Sequence, residues 1–465
     1  MSLRDALGLL LSVALPWTAG AFCVRAIVRR DVESRTLLCL GYGYPLGLFA
    51  TTLVMRLLDL IGLRFALAWI ASTLLALGLA AWWLAGAPRT RRAWRQGTAG
   101  VFAVLPPASR GLAWFFLALC VADVAVVALE AMSSLLLPFD AWVQWASKAR
   151  VWYEYGHLVP FVSGSTWVAF PNPMQFTDVH PEYPATVSLF EVWTAVALGR
   201  WDETLVNAPW VVAYCALGMA FYAQLRRIGS GPLKAIAGTY VILSLPFLQV
   251  HAAVAGMADI FVALAYALSA TALWQWTLTR QRHDAVLAVL MAILCASLKL
   301  EGGLWVVTLV PAVVTALNRR IGFALAATAA AIALGYLAFG PSHVTILGYG
   351  VRTQFENVSL PIFQHLFVMD NWHLFWYALA AMIVVNFRLL LRPELAPMTM
   401  TVAAGVGFIC IVFFFSGASV GVDEEGVLNR LLLHCVPALV FYVFLVAREA
   451  QRAAAARAAP SLASA

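Results

Sequence analysis

Long apolar runs alternate along the chain with short polar clusters that are mostly basic. The runs lie near 6–24, 36–58, 65–86, 112–137, 205–225, 235–250, 258–277, 285–299, 303–317, 321–340, 373–391, 398–416 and 428–447. A membrane-spanning helix needs about 20 mainly apolar residues. Thirteen such runs predict an all-α polytopic membrane protein. The first run carries Arg25, Arg29 and Arg30 after it rather than before it, the reverse of a secretory signal, so an uncleaved first span is expected.

Charge orients the spans. With the N-terminus outside and thirteen alternating spans, the inner loops carry Arg25–Arg35, Arg89–Arg110, Arg226–Lys234, Arg280 and Arg282, Arg319 and Arg320, Arg388 and Arg392, and Arg448–Arg457. Those loops hold twenty-one of the thirty basic residues and five of the twenty-three acidic ones. A basic excess marks the cytoplasmic side, which puts the C-terminus there. Residues 183–199 form a further apolar run, but counting it as a span turns the basic loops 226–234 and 278–284 outward. It is therefore expected to lie in the outer interface. Two long extracytoplasmic loops follow from this topology, 138–204 and 341–372, and loops of that length are usually functional.

Composition narrows the class. Of 465 residues, 63% are hydrophobic and 11% charged, against about 25% charged in a soluble domain. A cytosolic enzyme, a secreted disulfide scaffold and a disordered interaction protein are excluded. The net charge of +7 is spread over inter-span clusters, which fits lipid headgroups and topology better than nucleic acid. The seven cysteines have neither metal nor disulfide spacing and read as small hydrophobes. Three regions are expected: 1–110, three spans and a basic loop; 111–340, a core with outer loop 138–204; and 341–465, a second outer loop, three spans and a tail.

The first outer loop holds the candidate chemistry. After "LLLPFD" comes "AWVQWASKARVWYEYGH", in which Trp142, Trp145, Ala149 and Trp152 form one helical stripe, with Gln144, Ser147, Lys148 and Glu154 elsewhere around it. This predicts an amphipathic helix in the plane of the outer leaflet. Asp140 stands at its start, where a carboxylate is favoured with or without a catalytic role. Farther on comes "HPEYP" at 180–184. Asp123 and Glu130, seven apart in the fourth span, are expected to face the bundle interior or water, as a buried pair or a protonated acid.

An Asp after an outward span, a Trp-rich interfacial helix and then "HPEYP" resemble the GT-C type of integral-membrane glycosyltransferase. Within that type the chain is similar to the polyprenyl-phosphate-sugar-dependent mannosyltransferase and aminoarabinose-transferase group. The resemblance covers roughly 112–310, and the first three spans have no counterpart in that core. It implies Asp140 as base or acceptor anchor, His180–Pro184 as a substrate-contacting segment, and Asp259 as the second acid. Lys299 becomes the cation ending a later outward span, and Arg430 the cation near the last span. Glu182 and Tyr183 within the Pro-flanked segment, and Glu301 after Lys299, depart from the commoner pattern.

Transfer from a lipid-phosphate sugar needs a cationic clamp for the phosphate, a base for the acceptor hydroxyl and an apolar groove for the tail. Lys299, Arg430 and Arg352 are outer-side cations suited to the clamp, with Asp140 as the base. The substrate-binding candidates are Lys148, His180, Glu182, Tyr183, Asp259, Lys299, Glu301, Arg352 and Arg430. Simpler roles stay open: Lys299 pairing with Glu301, Arg430 pairing with Asp423–Glu425, and His180 as a structural hydrogen-bonder. His365, Asp370 and His373 have no fixed role. No cofactor and no metal are assigned, with a loosely held divalent ion at Asp140 or Asp259 left open. The expectation is an inner (plasma) membrane glycosyltransferase, inverting, that uses a polyprenyl-phosphate sugar donor. Its acceptor would be a cell-envelope glycan, lipid or protein. A transporter or flippase of a lipid-linked precursor is the alternative, and a polymerase or ligase of a lipid-diphosphate glycan is a third reading.

Overall fold

The computed structural model describes residues 2–86, 102–346, 349–352, 355–423 and 425–462. Arg89, Arg91, Arg92 and Arg95 of the first basic stretch lie outside the described residues, as does the side chain of Arg352.

Four long helices come first: α1 (Leu3–Ile27), α2 (Arg35–Leu60), α3 (Leu67–Ala85) and α4 (Pro107–Ser133). A π turn (Ala141–Trp145) runs into α5 (Ala146–Tyr155). Short strands β1 (Phe161–Val162) and β2 (Phe176–Thr177), paired in parallel, flank α6 (Gly164–Ala169). Then follow α7 (Thr186–Leu198), α8 (Ala208–Arg227), α9 (Pro232–Leu243), α10 (Pro246–Ala253), α11 (Asp259–Thr279), α12 (Arg282–Leu298), α13 (Leu300–Val307), α14 (Val310–Leu317) and α15 (Arg319–Phe339). The antiparallel pair β3 (His343–Ile346) and β4 (Tyr349–Arg352) precedes α16 (Ser359–Phe363) and a second π turn (Gln364–Val368). The chain ends in α17 (Phe375–Val385), α18 (Phe387–Leu390), α19 (Ala396–Phe414) and α20 (Glu425–Leu462).

Among the described residues nine helices are long and apolar enough to cross a membrane, or ten if α9 and α10, bent by 65° at their junction, form one broken span. The protein is thus a polytopic helical membrane protein. Three of the expected spans are not among these crossing helices: α15, of 21 residues, and two shorter helices, α12 with 17 residues and α17 with 11. At 1.5 Å per residue neither of the two shorter helices reaches the roughly 30 Å of a bilayer core.

The chain forms two compact units. The first comprises 1–244, 248–265 and 289–302. Its helices alternate between two ends. At one end Asp5 at the start of α1 pairs with Arg200 at 3.0 Å, and Asp59 at the end of α2 lies 3.4 Å from the His157 ring. The Phe65 amide, before α3, donates to the Gly156 carbonyl at that same end. At the other end Glu33, between α1 and α2, pairs with Arg226 at the end of α8, and Arg30 donates to the Ala85 carbonyl at the end of α3. Asn207, before α8, donates to the carbonyls of Ala131 and Ser134 and so holds the end of α4 beside the start of α8. Residues 134–204 leave and return at the end marked by Asp5 and Asp59. The α1–α2 crossing is close because Gly20 and Gly47 let the backbones touch; a Cβ on either would strike the opposing main chain.

α7 does not cross this unit. Arg56, one turn from the end of α2, donates to Thr186 at the start of α7, and Arg200, just past its end, holds Asp5. Both ends of α7 are therefore tied toward one end of the bundle. Twelve of its thirteen residues are buried, so it is a packed element covered on all sides.

The second unit comprises 245–247, 266–288 and 303–465. Its interior carries polar side chains satisfied by one another. The Trp305 indole donates to His434 Nδ1 at 2.9 Å, and the Tyr266 hydroxyl bonds that of Thr308 at 2.7 Å.

Candidate functional site

The site is built from four segments of the first unit that meet at the Asp5–Asp59 end. The first follows Asp140. This residue is itself helical (φ −61°, ψ −32°) and its side chain makes no capping bond, so the N-cap role is not the one it plays. The next five residues form the π turn, closed by the Ala146 amide on the Ala141 carbonyl. The extra residue of a π turn rotates what precedes it relative to an α-helix. That explains a departure from the expected stripe: Trp145, Ala149 and Trp152 are buried, whereas Trp142 is 66% exposed and Ala141 takes the inward place.

Lys148 also departs from expectation. Instead of lying on the polar face it is 2% exposed. Its ammonium is 2.7 Å from Asp178 Oδ2 and donates to the His180 carbonyl at 3.0 Å, while Asp178 Oδ1 accepts from the His180 amide at 2.6 Å. The ion pair thus grips the backbone of His180 from both sides and shapes the second segment, His180–Pro184. Sequence reading missed Asp178. Its signal was the Asp-x-His spacing of an Asx turn.

In that segment the Tyr183 ring lies between two others. It stacks on Trp145 with centroids 5.6 Å apart and planes at 5°, and His180 packs 5.0 Å away. His180 Nδ1 is 3.0 Å from Glu182 Oε1, and both side chains are about half exposed. Partial burial works against ionisation of Glu182, but its own backbone amide and the His180 ring outweigh it and hold the carboxyl below the usual range.

The third and fourth segments are the start of α11 and the α12–α13 corner. Asp259 is fully buried in the first turn of α11, where a helix N-terminus favours a carboxylate. Lys299 Nζ lies 3.1 Å from Asp259 Oδ1 and 3.6 Å from Glu301 Oε1. The Tyr183 hydroxyl donates to Glu301 Oε1 at 3.1 Å and so joins the second segment to this cluster. Asp140 approaches from the other side: its neighbour Ala141 packs on Gly256, three residues before Asp259.

The structure therefore brings together Lys148, His180, Glu182, Tyr183, Asp259, Lys299 and Glu301, with Asp140 at the head of the adjoining helix. Lys299 serves two carboxylates, not one. Arg352 and Arg430 belong to the second unit, Arg352 closing β4 opposite His343 and Arg430 half-buried in α20. His365, left without a role by the sequence, is a buried structural residue there. Its Nε2 donates to the Val422 carbonyl at 2.8 Å, and its Nδ1 accepts from Asn429 at 3.1 Å. Asp123 and Glu130 do not pair with Lys299: Asp123 bonds the Gln249 side chain, and Glu130 is exposed and accepts from Ser134 at 3.0 Å. Among the described residues no group of three or more His, Cys, Asp or Glu could hold a metal ion.

Searches of family models, of curated proteins and of solved structures match nothing to this chain.

Proposed function

We propose that the protein is an integral-membrane glycosyltransferase of the GT-C type. On this reading it transfers a sugar from a polyprenyl-phosphate donor to a cell-envelope glycan, lipid or protein on the outer face of the inner membrane. The N-terminus lies outside, and the site lies at the end of the bundle away from the basic loops. One observation carries the proposal: segments distant in sequence converge at a single end of the first unit, joining a carboxylate-led helix to a cluster built around Lys299.

In this reaction the acceptor oxygen forms a bond to the anomeric carbon as the bond from that carbon to the phosphate oxygen breaks. Polyprenyl phosphate leaves with the bonding pair. Asp140 takes the hydroxyl proton, and attack from the face opposite the phosphate inverts the centre. Positioning supplies most of the effect of so weak a base. An ammonium has three donors, so Lys299 can hold a phosphate oxygen without releasing Asp259. Glu301, the longer and more open partner, is the one a phosphate would displace.

The test is Asp140→Asn in membranes supplied with labelled polyprenyl-phosphate sugar. Transfer should fall about 10²–10⁴-fold, the usual worth of a positioned base. Transfer at the wild-type rate ends the assignment of Asp140. The broken α9–α10 span favours a second reading, since transporters of lipid-linked precursors use discontinuous helices. Wild-type protein that consumes no donor but moves a lipid-linked precursor across vesicles would select that reading.

A further inference from the structure

Glu191 lies in the middle of α7 and is fully buried, and neither carboxyl oxygen has a hydrogen-bond partner among the described residues. Its direction follows from its neighbours. The Ser188 hydroxyl donates to the Trp145 carbonyl at 2.8 Å, so that side of α7 faces the π turn. The Phe190 ring packs 4.9 Å from Phe261, so that side faces the first turn of α11. Trp193 donates to the Ser12 carbonyl and faces α1. At 100° per residue Glu191 falls between the Ser188 and Phe190 directions and away from Trp193. It points into the wedge between the π turn that follows Asp140 and the turn that carries Asp259. The π turn adds Gln144, also buried, whose Nε2 has no partner among the described residues.

The charged groups on the elements packed around α7 are engaged elsewhere. On α1, Asp5 holds Arg200, and Arg4 lies against Gly199. On α2, Arg56 bonds Thr186 and Asp59 bonds His157. On α5, Lys148 holds Asp178, and Arg150 holds Glu154. Before α8, Asp202 holds Arg200 and Glu203 is exposed; on α11, Asp259 holds Lys299. Among the described residues an ionised carboxylate here would be a buried charge with nothing to meet it, which costs more than retaining a proton does.

We propose that Glu191 is a proton-binding site of the resting protein: it carries its proton at neutral pH, and losing that proton at alkaline pH forces apart the wedge between α7, the π turn and α11. Burial pushes its carboxyl well above the ordinary range. The acid hydrogen and the Gln144 amide are the kind of buried polar pair that ordered water satisfies. This holds whatever the site acts upon, because it rests on packing and not on sugar transfer. A lone acid inside the apolar run 183–199 was the signal in the sequence.

The experiment is infrared spectroscopy of the full-length protein in lipid, as wild type and as Glu191→Gln. The wild type at neutral pH should show one more protonated carboxylic-acid carbonyl stretch than the variant. That band should shift in D₂O and titrate away only under alkaline conditions. Equal intensity in this region for both proteins overturns the proposal, as does loss of the wild-type band on the acid side of neutrality. If the variant does not fold, glutamate-specific ¹³C labelling of the wild type decides the same question. A protonated glutamate band that moves with the label supports the site, and absence of such a band at neutral pH overturns it.

Discussion

Lys299 and Asp259, forty residues apart, meet through a 3.1 Å contact between Nζ and Oδ1, with the aspartate side chain wholly inaccessible and the lysine nearly so. A pair this buried does not by itself stabilise much, because desolvation of both charges offsets their attraction. Breaking it from one side is different. Lys299→Met leaves Asp259 without its cation and should cost about 3–5 kcal/mol, read as a fall in the thermal midpoint in detergent. Glu301→Gln, at the longer contact, should cost much less. Equal losses would mean that Glu301, not Asp259, holds the lysine.

Gly256 sets the distance between the Asp140 helix and the start of α11. It adopts φ +98°, and a Cβ there would lie 2.6 Å from the Ala141 Cβ and 3.1 Å from a Leu136 methyl. Gly256→Ala therefore meets both backbone strain and overpacking, at a cost of about 1–3 kcal/mol for the overpacking alone. The contact is at the head of the π turn. The variant should lose whatever activity Asp140 supports by more than its loss of folded protein, measured as rate per folded molecule. A rate that tracks folded protein alone would show that this spacing does not matter to the site.

Much of this arrangement was legible in the chain. The apolar runs gave α1–α4 and α8 because a span is long and its composition unmistakable. The charge count kept 183–199 from being a span, and the helix found there, Thr186–Leu198, has thirteen residues. Asp259, Lys299 and Glu301 were candidates because the resemblance to the GT-C type pointed to their positions. Which of them touch was not legible, since Lys299–Asp259 and Tyr183–Glu301 depend on tertiary packing. The buried place of Lys148 was passed over because a lysine beside an apolar stripe is ordinarily solvated, although it stands three residues after Trp145 and four before Trp152 and so on their side of the helix. Asp178 was passed over because its partner lies thirty residues earlier.

Lys148 should govern the order of the loop before α7. Its pairing with Asp178 joins α5 to the His180 backbone, and both side chains are almost fully buried. Lys148→Met should release that turn, and Asp178→Asn should do so less, since the amide oxygen can still accept from the His180 amide. Limited proteolysis of the folded protein reads this directly. Cleavage within 156–184 should accelerate in Lys148→Met before any loss of the helical signal. Unchanged cleavage would mean that Pro160, Pro181 and Pro184 hold the loop unaided.

In the second unit Asn429 joins two buried groups, accepting from the Trp372 indole at 2.9 Å and donating to His365 Nδ1 at 3.1 Å. Asn429→Leu fills similar volume but leaves both partners unmet, at about 1–3 kcal/mol for each. His365→Phe in the same background removes one of those orphans, so the double variant should be more stable than the sum of the two single losses. Thermal midpoints in a double-mutant cycle test this, and strict additivity would rule out the coupling.

Acid should loosen the turn that leads into α8. Partial burial opposes ionisation of Asp202, but the Leu205 amide at 2.9 Å, the Thr204 hydroxyl at 2.7 Å and amide at 3.0 Å, and Arg200 at 2.7 Å outweigh it. The carboxyl is held below its ordinary value of 3.8. A carboxyl whose pKa is lower in the folded than in the unfolded chain contributes stability that is whole above the unfolded value. That contribution fades as pH falls through the folded one. The wild-type midpoint should therefore drop below about pH 3.8, more steeply than in Asp202→Asn, which has no proton to gain. At neutral pH the variant should be the less stable of the two, and the gap should close on acidification. Parallel midpoint curves for the two proteins across this range would show that Asp202 titrates alike in both states.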